Sequence, residues 1–414
     1  MTGIVLDTCA GPGGWTVGLG MLGITDLGIE LDAAACATRA AAGHQTIRAD
    51  ISKYPVERLT GKTWGQVHSP PCTTFSMAGK RGGTAVTDIL AQGIRDIFAG
   101  RKTRALRRRE MARVLRAAWW PSPKLTRAER SAKIWAAVRS ASLVTEPARY
   151  IMAGQPEWVA LEQVPAVLPL WQVYAEELGK LGYHTWVGKL NSADYGVPQT
   201  RERVILIASR TRKVYRPEPT HYDPRKGMQL WGTPHVSMAE ALSWGATGRP
   251  GPAVTAGGTS TGGAEPFPTR ARNLLEAERD AGNWQLRRNR GAGLLERGGP
   301  RRDHPLEEPA PTITGGETGR PRLSWIRERP ATTLQCGSRV FPPHAGSKGE
   351  HQSTDSVRIS VQEAAVLQSF PADYPWQGTQ TKAYEQVGNA VPPLLAMHIV
   401  AEATGIKVQQ TLAA

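Results

Sequence analysis

Over the first 75 residues, short apolar runs alternate with glycine-rich or alanine-rich segments of helical length. Residues 4–7, 27–30, 46–50 and 64–68 read as strands, and 15–22 and 33–42 as helices between the first three. Strands alternating with helices predict a parallel sheet covered on both faces. Within 101–119, the residues Met111, Val114, Leu115, Ala118 and Trp119 recur at helical spacing, with arginines on the opposite face. Such a stripe reads as packing surface. Residues 158–162 form a strongly apolar strand, and strands at 186–190 and 204–208 flank the loop 191–202.

Beyond Ser209 the texture changes, and residues 210–355 are rich in Gly, Pro, Arg and Thr. A short phrase recurs there, "PAVT" from Pro252, "PAPTI" from Pro309 and "PATTL" from Pro330, at uneven spacing. This predicts a second, loop-rich region with a repeated strand-and-turn element rather than a solenoid. Residues 257–265 and 343–353 have the composition of segments without regular structure. Regular patterning resumes with helices at 360–369 and from Pro392 to about Thr404.

A chain of 414 residues exceeds one compact core, so two domains are expected. No apolar run is long enough to cross a membrane, and the N-terminus lacks a secretory pattern. The four cysteines, Cys9, Cys36, Cys72 and Cys336, form no close pair. A zinc site or disulfide framework is therefore a poor fit, and a reducing, cytoplasmic setting is expected. Net charge is +15, and between Arg95 and Arg130 twelve Lys or Arg face only Asp96, Glu110 and Glu129. That local excess favours nucleic acid as partner over a plain solvated face.

Four constellations carry candidate chemistry. "DTCAGPGG", from Asp7 through Gly11, Pro12, Gly13 and Gly14, lies between a strand and a helix, where glycines let backbone approach a ligand. Its G-x-G-G spacing is not the dinucleotide fingerprint. Glu30 ends the second strand and suits ribose hydroxyls; Asp50 ends the third and suits an adenine amino group. Loop, ribose acid and base acceptor in that order point to an adenosine-bearing cofactor. Secondly, Pro70 and Pro71 stiffen the turn before Cys72, on the carboxyl rim where ligands gather. Taken alone, a cysteine there is more often simply packed. Thirdly, Glu162 ends an apolar strand, where burial would favour the protonated form and suit a proton donor. Fourthly, Arg201 and Arg203 alternate before a strand, which suits an anion or a carboxylate on one face, although surface ion pairing is the plain alternative.

The order of these stretches resembles the DNA (cytosine-C5) methyltransferase family. The resemblance rests on "LDTCAGPGG", "GIELD", "RADI", "PPCTTFS", "LEQV", "QTRER", "SVQEAAVLQSFP" and "QVGNAVPP". It implies an α/β, Rossmann-like S-adenosylmethionine-dependent methyltransferase domain with a smaller, loop-rich target-recognition domain. The large domain would comprise 1–209 and 356–414, and 210–355 would read bases in the major groove. By resemblance Cys72 is the nucleophile at cytosine C6. Glu162 acts at N3, and Arg203, with Arg201 nearby, holds the base or supports the acid. Gly11, Gly13 and Gly14 would line the methionine part of the cofactor. Glu30 would hold its ribose and Asp50 its adenine, with Asp7, Pro12, Pro71 and Asn389 completing the pocket. Double-stranded DNA is the implied partner, acting on a monomer with no membrane contact and no metal.

Three departures stand out. Cys9 replaces a usual Phe, Gln163 replaces a usual Asn but is expected still to brace the loop, and the basic stretch 95–130 is longer than usual. An RNA cytosine methyltransferase, a catalytically silent DNA-binding homologue and a thiol redox protein are the rival readings. The large variable region argues against the first, and the intact Cys72, Glu162 and arginines against the second. Cys72 has no second cysteine near it in sequence for the third.

Overall fold

A computed structural model describes residues 3–71, 84–118, 126–223 and 360–408, with short pieces at 232–236, 241, 284–288, 303–305, 310–311 and 323–327. The segments predicted to lack regular structure, and the first and third copies of the recurring phrase, lie outside the described residues, as do Cys72 and Cys336.

Seven strands form the central sheet: β1 (Ile4–Thr8), β2 (Asp26–Glu30), β3 (Thr46–Arg48), β4 (Thr63–His68), β5 (Trp158–Gln163), β6 (His184–Asn191) and β8 (Glu202–Ser209). A two-residue strand, β7 (Gln199–Thr200), lies outside it. The order is β3-β2-β1-β4-β5-β8-β6. The chain thus starts at the centre, winds outward to β3, and crosses back to β4. All pairs from β3 to β5 are parallel, whereas β8 runs antiparallel to both β5 and β6. The wholly parallel sheet predicted from the alternation is therefore mixed at one end. The cause is the short connection from β6 to β8, which allows only an antiparallel return.

The central strands are apolar because helices cover both their faces. Every residue of β5 is buried, as are the last six of β8. One face carries α3 (Thr87–Phe98), α6 (Glu146–Gly154) and α7 (Leu168–Lys180), packed through Leu90, Ile94, Ile151, Leu170 and Trp171. The other carries α1 (Gly14–Gly20) and the last helix, here α10 (Pro393–Thr404), through Trp15, Leu19, Leu395 and Ile399. Thus α10, from the far end of the chain, packs on α1 and on β5 and β8. Helix α2 (Ala33–Ala41) starts where Asp32 accepts from the amides of Ala34 and Ala35. Helices α8 (Val361–Leu367) and α9 (Gln380–Asn389) precede α10, and a reciprocal Ser360–Glu363 capping box starts α8.

The predicted helix over 101–119 runs as α4, Arg104–Ala118. It starts later because Arg101 and Thr103 fold back onto Asp96. A second helix, α5 (Arg127–Ser142), follows it and was not anticipated. Its Thr126–Glu129 capping box was visible in sequence, but its arginines and alanines blur the apolar stripe. In the variable region, β11 (Trp284–Arg288) pairs antiparallel with β12 (Asp303–Pro305) and β14 (Leu323–Arg327). Two short strands, β9 (His221–Tyr222) and β10 (Thr233–Pro234), pair just after the large sheet. The middle copy of the recurring phrase supplies β13 (Ala310–Pro311), which pairs with β7.

Candidate active site

The carboxyl ends of β1 and β4 meet where the strand order reverses, the place in a doubly wound sheet where ligands collect. The chain leaving β1 coils tightly there, with positive φ at Cys9 (57°), Gly11 (53°) and Gly13 (109°). Glu30 holds this coil. Its Oε2 accepts from the Gly11 amide at 2.8 Å, and its Oε1 accepts from the Leu31 and Asp32 amides at 2.7 Å each. A carboxylate has about four acceptor directions, so Oε2 retains a lone pair.

The three glycines serve two purposes. A Cβ at Gly11 would meet nothing within 4 Å, so that face of the turn is open to a ligand. One at Gly13 would meet His44 and the Tyr374 hydroxyl at 2.9 Å, and one at Gly14 would sit 2.1 Å from the Val391 carbonyl oxygen. Gly13 and Gly14 were expected to line the cofactor; packing against the C-terminal segment already requires them to lack side chains. Pro12 is likewise buried, its carbonyl accepting from the Tyr374 hydroxyl. Asp7 is fully enclosed and faces the Arg39 guanidinium at 3.8 Å rather than the rim. Burial pushes its carboxyl well above the usual range, against the pull of Arg39. Arg39, which also meets Asp26, Thr16 and Thr46, was not singled out from the sequence. Nothing marks it there, because its partners come from β1, β2, β3 and α1.

Asp50 lies just beyond β3, with Oδ1 accepting from the Ser52 amide at 2.9 Å and Oδ2 3.9 Å from Lys53. Partial burial opposes its ionisation, but the Ser52 donors, Lys53 and Arg108 together hold its carboxyl below the ordinary value.

At the end of β4 the chain passes Ser69, whose hydroxyl accepts from Trp15 Nε1 at 2.8 Å, and reaches Pro70 and an exposed Pro71. The Gln163 side-chain amide donates to the Pro70 carbonyl, the bracing expected of this departure from the family pattern. His68 is buried between Thr8 and Gln66. Gln66 Nε2 donates to Thr63 and to the Tyr150 carbonyl, so its Oε1 faces His68 and can only accept. His68 is therefore protonated at Nε2 and accepts from Thr8 at Nδ1. Burial keeps it neutral, with its pKa pulled down to about 3.

Glu162, one residue before Gln163, is 5% exposed, and its Oε1 lies 3.0 Å from Arg203 Nε. The acid is buried but not alone. Arg201 goes elsewhere. Its Nη1 and Nη2 donate to the carbonyls of Gly388 and Ala390 at 3.0 and 3.1 Å, and it is 2% exposed. The expectation that both arginines share one face fails because the strand is interrupted at 201, between β7 and β8. Alternation holds only along a continuous strand. Asn389 ends α9 and is exposed, between the two carbonyls that Arg201 holds. The following Val391 rests on Gly14, so Asn389 is delivered beside the glycine turn.

The strand reversal, the open glycine turn and the acid–arginine pair define an α/β enzyme with its site on the carboxyl rim. The fold agrees with that of the Entamoeba histolytica methyltransferase EhMeth (TM-score 0.51, 12% identity, 98% of each chain), and it is Rossmann-like. The family model of the C-5 cytosine-specific DNA methylases matches residues 4–97, 133–238 and 310–404. The chain belongs to this family, as a DNA cytosine-5 methyltransferase. Among curated relatives, Type II methyltransferase M1.HphI of Haemophilus parahaemolyticus is 25% identical over 409 residues, 95% of this chain and 84% of that one. Type II methyltransferase M.NgoFVII of Neisseria gonorrhoeae is 24% identical over 258 residues, 59% of this chain and 58% of its own length.

Proposed function

We propose that this chain transfers a methyl group from S-adenosylmethionine to carbon 5 of a cytosine flipped out of a specific short duplex DNA sequence. The observation that carries this reading is the Glu162–Arg203 pair beside Gln163, whose amide holds the Pro70 carbonyl two residues before Cys72. A proton donor and the approach to a nucleophile are thereby tied together on one rim.

Cytosine C5 is a poor nucleophile until a thiolate adds to C6. Cys72 forms that S–C6 bond while Glu162 delivers a proton to N3, leaving an enamine with electron density at C5. Arg203 holds the Glu162 carboxyl in position and balances its charge when ionised. After methylation, loss of the C5 proton expels the Cys72 thiolate and restores the aromatic base. The base must leave the stack for any of this to occur. S-adenosylmethionine, when bound, supplies the electrophilic methyl group. The residues present fit it: Gly11 presents an open face, Glu30 keeps an acceptor direction, and the Asp50 carboxylate stands just past β3 with one oxygen taken by the Ser52 amide. Asn389 and Pro71 flank the same crevice. Residues 210–355 would read the target bases, with 1–209 and 356–414 forming the catalytic unit as a monomer. The relatives named above are type II methyltransferases, and we assign this chain the same modification role.

Bisulfite sequencing of DNA from cells expressing the chain tests the reading. Protected cytosines within one short motif are expected. No protection, with labelled methyl groups passing to RNA instead, overturns it. Cys72→Ser should abolish turnover while S-adenosylmethionine binding persists; normal methylation by this variant refutes the nucleophile assignment.

A further inference from the structure

The family match is interrupted between residues 98 and 132, where α4 and the start of α5 lie. Residues 98–132, outside the family match, carry most of the chain's basic excess. Their arginines divide into two sets. Arg104 reaches Glu146 at 2.6 Å and the Ser52 carbonyl at 2.8 Å, Arg107 pairs with Asp96 and Glu110 at 2.9 Å, and Arg108 Nε lies 3.3 Å from Ser142 Oγ. This set fastens α4 to α3, α5 and the rim. Arg109, Arg113 and Arg116 form the other set: all are exposed, and none forms an ion pair or hydrogen bond with another described residue. Spaced i, i+4 and i+7, they share one face of α4. Glu110, the acid of this helix, is already engaged by Arg107, so nothing on α4 neutralises the stripe.

The placement of the hairpin gives the stripe a direction. Arg107 meets Asp96 near the end of α3, while the turn Thr84–Val86 before α3 also packs on α4. Hence α4 runs antiparallel to α3, and its later half lies beside the point where the chain returns from the Cys72 segment. Its first turn is bonded to Ser52, two residues past Asp50. The three free arginines span about 10 Å along the helix axis, at 1.5 Å per residue. That equals about three steps of a duplex strand, which rises 3.4 Å per phosphate.

We infer that the exposed face of α4, through Arg109, Arg113 and Arg116, binds the phosphate backbone of duplex DNA flanking the target sequence. The inference rests on the proposed DNA-methylating function and adds a contact that carries no base information. Long basic side chains on a face with no acidic counterpart among the described residues suit a polyanion, and phosphate contacts orient without specifying. Such a surface would lengthen the stretch of DNA engaged and raise binding to any duplex.

The test is the full chain with R109Q, R113Q and R116Q combined, measured by fluorescence anisotropy on long duplexes with and without the methylated motif. All three side chains are exposed, so an unchanged thermal midpoint is expected and confirms folding. The slope of log Kobs against log salt should become shallower by about 3, near 0.9 per lost phosphate contact. Binding at about 0.1 M salt should weaken at least about tenfold, by a similar factor on both duplexes. A retained slope, a loss confined to the motif-bearing duplex, or weakened binding to RNA alone overturns this inference. If the unaltered chain methylates DNA while the triple variant keeps its slope, only the α4 assignment fails. If the unaltered chain binds no duplex at all, the functional reading falls with it.

Discussion

One carboxylate and two arginines show how much a residue's partners alter what its sequence position suggests. Glu162 and Arg203 face each other at 3.0 Å, and the acid is placed to act at the rim. Glu162→Gln should lower kcat by about 10²–10⁴, the usual scale for losing a positioned proton donor, with cofactor affinity little changed. Single-turnover methylation and equilibrium dialysis separate the two effects. Arg201, two residues earlier, is a clamp on the C-terminal segment. Arg201→Ala removes two charge-assisted hydrogen bonds and takes the guanidinium from the buried Gly388 carbonyl, whereas Ala390 keeps its bond from Gln368. The expected result is a stability loss of about 2–5 kcal/mol, read by denaturant unfolding. Only Arg203→Ala should depress methylation beyond what its effect on folding explains. The sequence shows both arginines at the right spacing. It does not show that the strand breaks at 201 and sends one of them the other way.

At the scale of elements, the glycine turn and the last helix form one joint. Gly14 admits the Val391 backbone, and Gly18 admits Pro393 and Ala396 of α10. Gly14→Ala would place a methyl group 2.1 Å from the Val391 oxygen and must part the two chain ends. Expected are a clear fall in thermal midpoint and loss of activity. Gly11→Ala has space for its methyl, and its φ of 53° costs roughly 1–2 kcal/mol of backbone strain. That variant should fold but bind S-adenosylmethionine more weakly, measured by calorimetry. Equal stability losses for the two would refute the division of roles. The strands and the first two helices were legible because each buries a continuous or periodic apolar set. Helices α3, α5, α6, α7 and α9 were not; in α5 and α9 charged, alanine or polar residues dominate, and their burial depends on neighbours far along the chain.

Across the whole molecule, histidines wholly or partly withdrawn from solvent link folding to acidity. Burial pulls His68 to about 3 and His44 and His398 to about 4. An unfolded histidine titrates near 6.5. Below that value the unfolded chain binds more protons than the folded one, so each such histidine removes stability as pH falls toward its folded value. The slope is about 1.4 kcal/mol per pH unit for each. Asp7 and Asp26, pushed upward by burial, act in the opposite sense, so the histidine effect is read by difference. His68→Gln should reduce the stability lost between pH 7 and pH 5 by about 1–2 kcal/mol, measured by denaturant titration at each pH. An identical pH dependence in variant and parent would show that His68 is not neutral in the folded state.

The sequence by itself determined the strand-helix alternation, the glycine turn, the acids at strand ends and the family pattern that orders them. These are local: each depends on periodicity or on a few adjacent residues. Tertiary structure alone decided which glycines face Val391 and which face open space, which arginine meets Glu162, and which arginines of α4 lack a partner among the described residues. Those outcomes depend on contacts between segments up to nearly 380 residues apart, as between Gly14 and Val391. A side chain's chemistry is set by what surrounds it, and only the folded chain brings those surroundings together.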